Sequence, residues 1–317
     1  MGKRGRKREP RRSNHSRPLP SNGRSFELKL ARAQHHLQDI QEQLQGWIDS
    51  CLHSLREEPD PKEPGYYCAW IDAPEVDLGL LSLRVGDCLQ CSRSALDHPA
   101  FELATTFTSP LPDEFEKRSE FPIFGDQDGK GSGRFDERRS KGAQAGNPTP
   151  TSGLAKVAGM DPAAQAVIEG LQPYHRGNTF EDDPLWRLHE LNRIDKHRLL
   201  HVATRVMGGA TMPMAGPAIP KAQWPRNVAA IKRADGQPFQ LEIKGDIAAE
   251  GRTLVARWPM LPIDPGKKMH MGLRPVLNIV FDTATPLVAN LPVSDPLADV
   301  DNHIVNAVLP PLVGFLK

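Results

Sequence analysis

Two short polar runs hold most of the chemistry that this 317-residue sequence offers: Arg93-Ser-Ala-Leu-Asp-His98 and Asn192-Arg-Ile-Asp-Lys-His-Arg198. Arginine makes planar two-point contacts with carboxylates, aspartate and histidine can move protons, and asparagine both donates and accepts hydrogen bonds. Arg93, Asp97, His98, Asn192 and Asp195 are therefore candidate catalytic residues, with His197 and Arg198 as candidate binding residues. No metal or other cofactor is expected. Of four cysteines, Cys88 and Cys91 form a close-spaced pair, but Cys51 and Cys68 do not supply a second one. With Cys51 and the pair on expected helices, packed thiols fit better than zinc. Gly129-Lys-Gly-Ser-Gly133 lacks the glycine spacing, the Lys-Ser/Thr pair and the preceding strand of a phosphate loop.

The second polar run lies on the best-formed helix of the chain. Asp183-Pro184 is an N-cap followed by proline at the first helical position, and Gly208-Gly209 with Pro213 is the expected stop. At about 100° per residue, Leu185, Leu188, Leu191, Leu199, Val202 and Val206 share one stripe, with Asn192 and Asp195 inside it. Arg193 and His197 point the opposite way, Arg198 lies at one margin, and His189 and Lys196 lie at the other. A buried carboxylate costs several kcal/mol unless a cation or donors reach it. The partner expected for Asp195 is Arg93, which lies about 40° from the centre of the apolar face of a helix over Leu78–Thr106, with Asp97 near the edge of that face.

Around these helices the chain reads as α+β, an N-terminal helical bundle followed by a small antiparallel sheet and a C-terminal helix. Residues 1–25 form a basic tail, expected to be disordered, whose nine lysines and arginines face a single Glu9 and suit a weak polyanion contact. Residues 26–106 hold a long amphipathic helix, a strand at Tyr66–Ile71 and the helix carrying Arg93. On the first helix Leu30, Ala33, Leu37, Ile40, Leu44, Trp47, Cys51 and Leu55 make a seam; packing within the chain is its expected use and a homodimer the alternative. Residues 107–152 are a flexible insertion in which Phe121-Pro-Ile-Phe124 docks on the core, and 153–207 complete the helical part. Residues 208–317 hold strands at Arg226–Ile231, Phe239–Gly245, Thr253–Trp258 and Pro275–Asp282, an Asp235-Gly236 turn, and a final helix that Pro310-Pro311 must break or kink. No apolar stretch approaches a membrane span and no secretory signal opens the chain, so a soluble cytoplasmic protein is expected.

With Gly86-Asp87, Arg93-Ser-Ala-Leu-Asp-His98, Phe121-Pro-Ile-Phe124, Leu171-Gln-Pro-Tyr174 and Leu188-His-Glu-Leu-Asn-Arg-Ile-Asp-Lys-His-Arg198, the sequence resembles a widespread family of uncharacterised bacterial proteins, common in actinobacteria. Here Gln90-Cys91-Ser92 replaces the family's usual His-Asn-Leu, and Pro99 replaces an apolar residue. The family implies an architecture without an activity. The spacing of Arg93 and His98 is also similar to that of the HEPN ribonucleases, which implies metal-independent RNA cleavage as the alternative function. A metal hydrolase on Asp97, His98, Asp195 and His197 is a further option. The leading expectation is a binding or interaction module with a buried Arg-Asp-Asn network between two helices, its partner unknown.

Overall fold

A computed structural model describes residues 23–62, 64, 66–125, 135–198, 200, 202–212, 228–232, 239–246, 251–259 and 275–316. The basic tail through residue 22, the Gly129–Gly133 run and the Asp235-Gly236 turn lie outside these residues.

Helix α1 (Ser25–His53) buries Phe26, Ala33, Leu37, Ile40, Leu44, Trp47 and Cys51 along the expected seam, which packs within the chain against the second helix. Strand β1 (Arg56–Pro59) follows and pairs antiparallel with β2 (Tyr66–Ala73). Helix α2 (Leu78–Phe107) starts at Asp77, whose side chain accepts from the Leu80 N–H at 2.8 Å. It runs on through Pro99, with Leu81, Val85, Leu89, Leu96 and Leu103 buried along its length. After the short α3 (Asp113–Glu116) the chain passes through the buried segment Phe121–Gly125. Phe121, Ile123 and Phe124 join the core as expected, and Phe135 packs edge-on to Phe124 at 6.1 Å. Helices α4 (Gly153–Val157) and α5 (Pro162–Gly170) then lead through a distorted 3-10 stretch, Pro173–Asp182, into α6 (Pro184–His197).

The expected length of α6 is corrected. Asp183 caps it as expected, its side chain accepting from the Leu185 N–H at 2.8 Å, but the helix stops at His197. Arg198 is already extended, and Val202–Met212 is strand β3. A run with Val202, Thr204 and Val206 has β-branched residues at alternate positions, so it suits a strand as well as a helical stripe. Pairing with distant strands decides the matter. β3 lies antiparallel to both β5 (Phe239–Asp246) and β7 (Leu277–Phe281), and β4 (Val228–Lys232) completes the order β4-β5-β3-β7.

The remaining strand, β6 (Gly251–Pro259), pairs with β2 rather than with this sheet. The molecule is thus mixed α+β, with two antiparallel sheets among the described residues where one was expected, and the smaller one, β1-β2-β6, recruits strands from the helical part. The C-terminal path is α7 (Ser294–His303), a wider π turn over Ile304–Val308, and α8 (Leu309–Val313). Pro310 and Pro311 lack N–H groups, so the helical ladder cannot continue unchanged, and the kink takes the form of that turn. No helix among the described residues is long and apolar enough to cross a membrane.

Candidate functional site

Helices α2 and α6 pack antiparallel, one close approach and one electrostatic influence setting their register. At one end the carboxylate of Asp195 lies on the backbone of Gly86, where an added Cβ would come within 2.3 Å of Oδ1. Seven residues further along α2, about 10 Å along the axis, the charge of Arg93 reaches His189 on α6. Asn192 lies between these levels, buried at 3 % exposure with Oδ1 unpartnered.

The register overturns the pairing expected between Arg93 and Asp195. Arg93, 9 % exposed, holds Asp97 by two contacts, Nε to Oδ2 at 3.1 Å and Nη2 to Oδ1 at 2.8 Å. Its Nη2 also donates to the Phe121 carbonyl at 2.5 Å, while Asp97 Oδ1 accepts from the Phe121 N–H at 3.1 Å. The two side chains thereby bracket one residue of an extended segment and satisfy both its backbone groups. Burial lifts the Asp97 carboxyl above its ordinary value, opposed by Arg93 and by the Phe121 N–H.

Asp195 is only half-buried, and no cation is paired with it among the described residues. Burial, and then the negative charge of Asp87, push its carboxyl above the usual carboxylate value. The Arg-Asp-Asn network weighed from the sequence therefore divides: Arg93 belongs to Asp97 and Phe121, and no hydrogen bond joins it to Asp195 or Asn192 among the described residues.

A second clamp acts beside the first. Gln172, 2 % exposed, donates to the Pro122 carbonyl at 2.9 Å and the Ile168 carbonyl at 2.8 Å, and accepts from the Phe124 N–H at 3.0 Å. Phe121–Phe124 is thus fastened from α2 on one side and from the end of α5 on the other. This gives Gln172, in the Leu171–Tyr174 motif, a structural purpose that its sequence position alone does not reveal.

The fastened segment delivers Glu120 to Lys156 of α4, Nζ to Oε1 at 2.8 Å, and Lys156 also lies over the Phe124 ring at 5.3 Å. Burial alone would raise the Glu120 carboxyl, but the bond to Lys156 and the charges of Lys156, Arg93 and Lys196 hold it below its ordinary value. On α6, His189 stacks on Trp186 with ring centroids 5.5 Å apart. Burial, followed by the positive charge of Arg93, lowers its imidazole to about 4, Lys156 and Arg193 adding to the effect and Glu190 opposing it. The His189 side chain is nevertheless 32 % exposed, so a neutral ring faces solvent beside cations. Four elements, α2, the segment before Phe121, α4 and α6, thus contribute charged or titratable groups to this region, with Glu120 and His189 partly exposed.

The other candidates fall elsewhere. His98 is half-buried with Nδ1 enclosed and unpartnered, and five residues along the unbroken α2 place it about 140° around the axis from Arg93. His197 and Arg198 are exposed at the end of α6. Among the described residues no three metal-ligating side chains converge, so Asp97, His98, Asp195 and His197 do not form one centre. Cys51, Cys88 and Cys91 form no disulfide, and burial pushes Cys51 up to about 11 and Cys88 up to about 12, as inert packed groups. Glu120 and Lys156 lie in no motif that singles them out, and Gln172 and His189 lie inside motif runs that give them no role. Comparison with family models, curated proteins and solved structures finds no match for this chain.

Proposed function

We propose that the chain is a cytoplasmic binding module whose ligand site is the cluster of Arg93, Glu120, Lys156 and His189. The observation that carries this reading is the solvent-facing neutral His189, stacked on Trp186 within the field of Arg93 and Lys156. Perturbed titratable groups concentrate at functional sites. The Arg93–Asp97 and Gln172 clamps give the site a rigid frame, because they leave Phe121–Phe124 few unpaired polar groups with which to move. Cys51, Cys88 and Cys91 without disulfides suit a reducing compartment, and two of the motif runs that resemble the bacterial family supply Arg93 and His189.

The test uses the ring resonances of His189, followed by NMR while a panel of small metabolites is added to the full chain. Ligands that shift His189 but leave His53, at the far end of α1, unmoved place binding at the cluster. A panel without effect on His189 rejects this site. RNA cleavage in EDTA that disappears in His98→Ala would replace the proposal with the ribonuclease reading.

A further inference from the structure

Among the described residues, one face of α2 is left uncovered. At about 100° per residue, Leu80, Leu83, Asp87, Gln90, Ser94 and Phe101 fall within about 80° of one another. Helix α1 adjoins this face on one side, through Arg84 Nη1 to Gln43 Oε1 at 2.7 Å and Arg24 Nη1 to Glu102 Oε1 at 3.6 Å. Helix α6 adjoins it on the other, where Asp195 meets Gly86. Between these neighbours Leu80, Leu83 and Phe101 are 43 %, 57 % and 40 % exposed. Apolar side chains repeated along one stripe mark a contact surface, unlike single exposed ones.

The order of residues along the stripe selects the occupant. Leu83 and Phe101 stand equally far from position 92, about 27 Å apart, and the polar Gln90 and Ser94 are also equidistant from it. A second α2 laid antiparallel about a two-fold axis at that position matches Leu83 to Phe101 and Gln90 to Ser94, each twice. Charge agrees with shape. Lys29 and Arg32 lie on the same margin of α1 as Gln43, the margin beside α2. Counted from the Arg24–Glu102 and Gln43–Arg84 contacts, they stand level with positions 97 and 94 of α2. The two-fold axis carries the exposed Asp87 to position 97 of the other copy, on this same margin. Asp87, Lys29 and Arg32 make no ion pair among the described residues, so all three are open to such a partner.

From this arrangement we infer that the chain pairs with a second copy of itself through the exposed face of α2. Leu83 and Phe101 form the two apolar ends of the contact, and Asp87 of each copy meets Lys29 and Arg32 of the other. The strip from Leu80 to Phe101 is about 32 Å long and, with the α1 margin, about 20 Å wide. That covers roughly 600 Å² per copy, at the lower end of what stable interfaces bury. A dissociable dimer is therefore expected, and it does not depend on the ligand site.

Sedimentation of the full chain over a dilution series tests this, with circular dichroism to check that each variant keeps its helices. At the concentrated end the chain should sediment at about 70 kDa, twice its 35.1 kDa. Leu83→Glu should raise the dissociation constant about a hundredfold or more, because a two-fold interface carries each substitution twice. Asp87→Lys should weaken the dimer about tenfold, and adding Lys29→Glu with Arg32→Glu should restore it. A chain that stays at 35.1 kDa at every concentration overturns the inference. A dimer that Leu83→Glu leaves intact overturns it too, by placing the contact on another surface, as does a charge swap that restores nothing. Should Leu83→Glu lose helical signal, the charge-swap series decides alone.

Discussion

Gly86→Ala tests the α2–α6 register directly. The three atoms nearest an added Cβ all belong to the Asp195 carboxyl: Oδ1 at 2.3 Å, and Cγ and Oδ2 at 2.6 Å. These distances are about 1 Å inside normal contact, so α6 must shift or Asp195 must leave its rotamer. Overpacking of this kind costs about 1–3 kcal/mol. Alanine returns roughly 1 kcal/mol through its better helix propensity. The net expectation is a loss of up to about 2 kcal/mol, read as a fall in Tm of about 2–4 °C per kcal/mol for a domain of 150–250 residues. In an Asp195→Ala background the obstacle is gone, so the same Gly86→Ala change should stabilise by up to about 1 kcal/mol. In an Asp195→Asn background the shape remains and the loss should persist, which separates steric pressure from charge. Urea unfolding of the full cycle gives the coupling between the two positions. A Gly86→Ala protein at least as stable as the parent, or additive effects of Gly86→Ala and Asp195→Ala, would refute the contact.

Three further perturbations probe the frame and the site. Asp97→Ala leaves Arg93 buried without its carboxylate and should cost near the lower end of about 3–5 kcal/mol, because Asp97 is 31 % exposed; chemical denaturation should show Arg93→Met/Asp97→Leu losing less than this single change. Gln172→Leu keeps the volume but strips the Phe124 N–H and the Pro122 carbonyl of their partner, at about 1–3 kcal/mol for each stranded group, and hydrogen exchange at Phe124 should accelerate with it. His189 titrates at about 4 in the folded chain against an ordinary 6.5. Between those values the unfolded chain takes up the proton and the folded chain does not, so stability is fully present above pH 6.5 and declines towards pH 4. In His189→Gln that decline should be shallower than in the parent, His36 and His303 supplying what remains since both are also lowered by burial; identical pH slopes would contradict the burial of this ring.

A helical projection gives the direction in which a residue points from its axis, and that much the sequence made plain. The α1 seam, the apolar face of α2, the inward Arg93 and Asn192, and the Asp183 cap all follow from periodicity and capping chemistry. Projection does not give height along the axis. Arg93 and Asp195 both turn towards the α2–α6 interface, yet antiparallel packing sets Asp195 beside Gly86, at one end of the contact, and brings His189 to Arg93 at the other. The partners that Arg93 does take lie one turn away, in Asp97, and across 28 positions, at the Phe121 carbonyl.

One signal for the register was nevertheless present in the sequence. A glycine inside the apolar stripe of a helix sacrifices about 1 kcal/mol of propensity against alanine, and close approach by a neighbour is the ordinary compensation. Gly86, between Val85 and the buried Cys88, is such a glycine, and what approaches it is Asp195. The same reasoning explains why the strand β3 was hidden. Val202 and Val206 satisfy a helical stripe and an alternating strand alike, and the choice belongs to β7, more than seventy residues away, whose Phe281 and Leu277 pair with them. Local pattern thus settles which residues face the core, while long-range pairing settles which of them meet, and a ligand site built from four elements depends on the second.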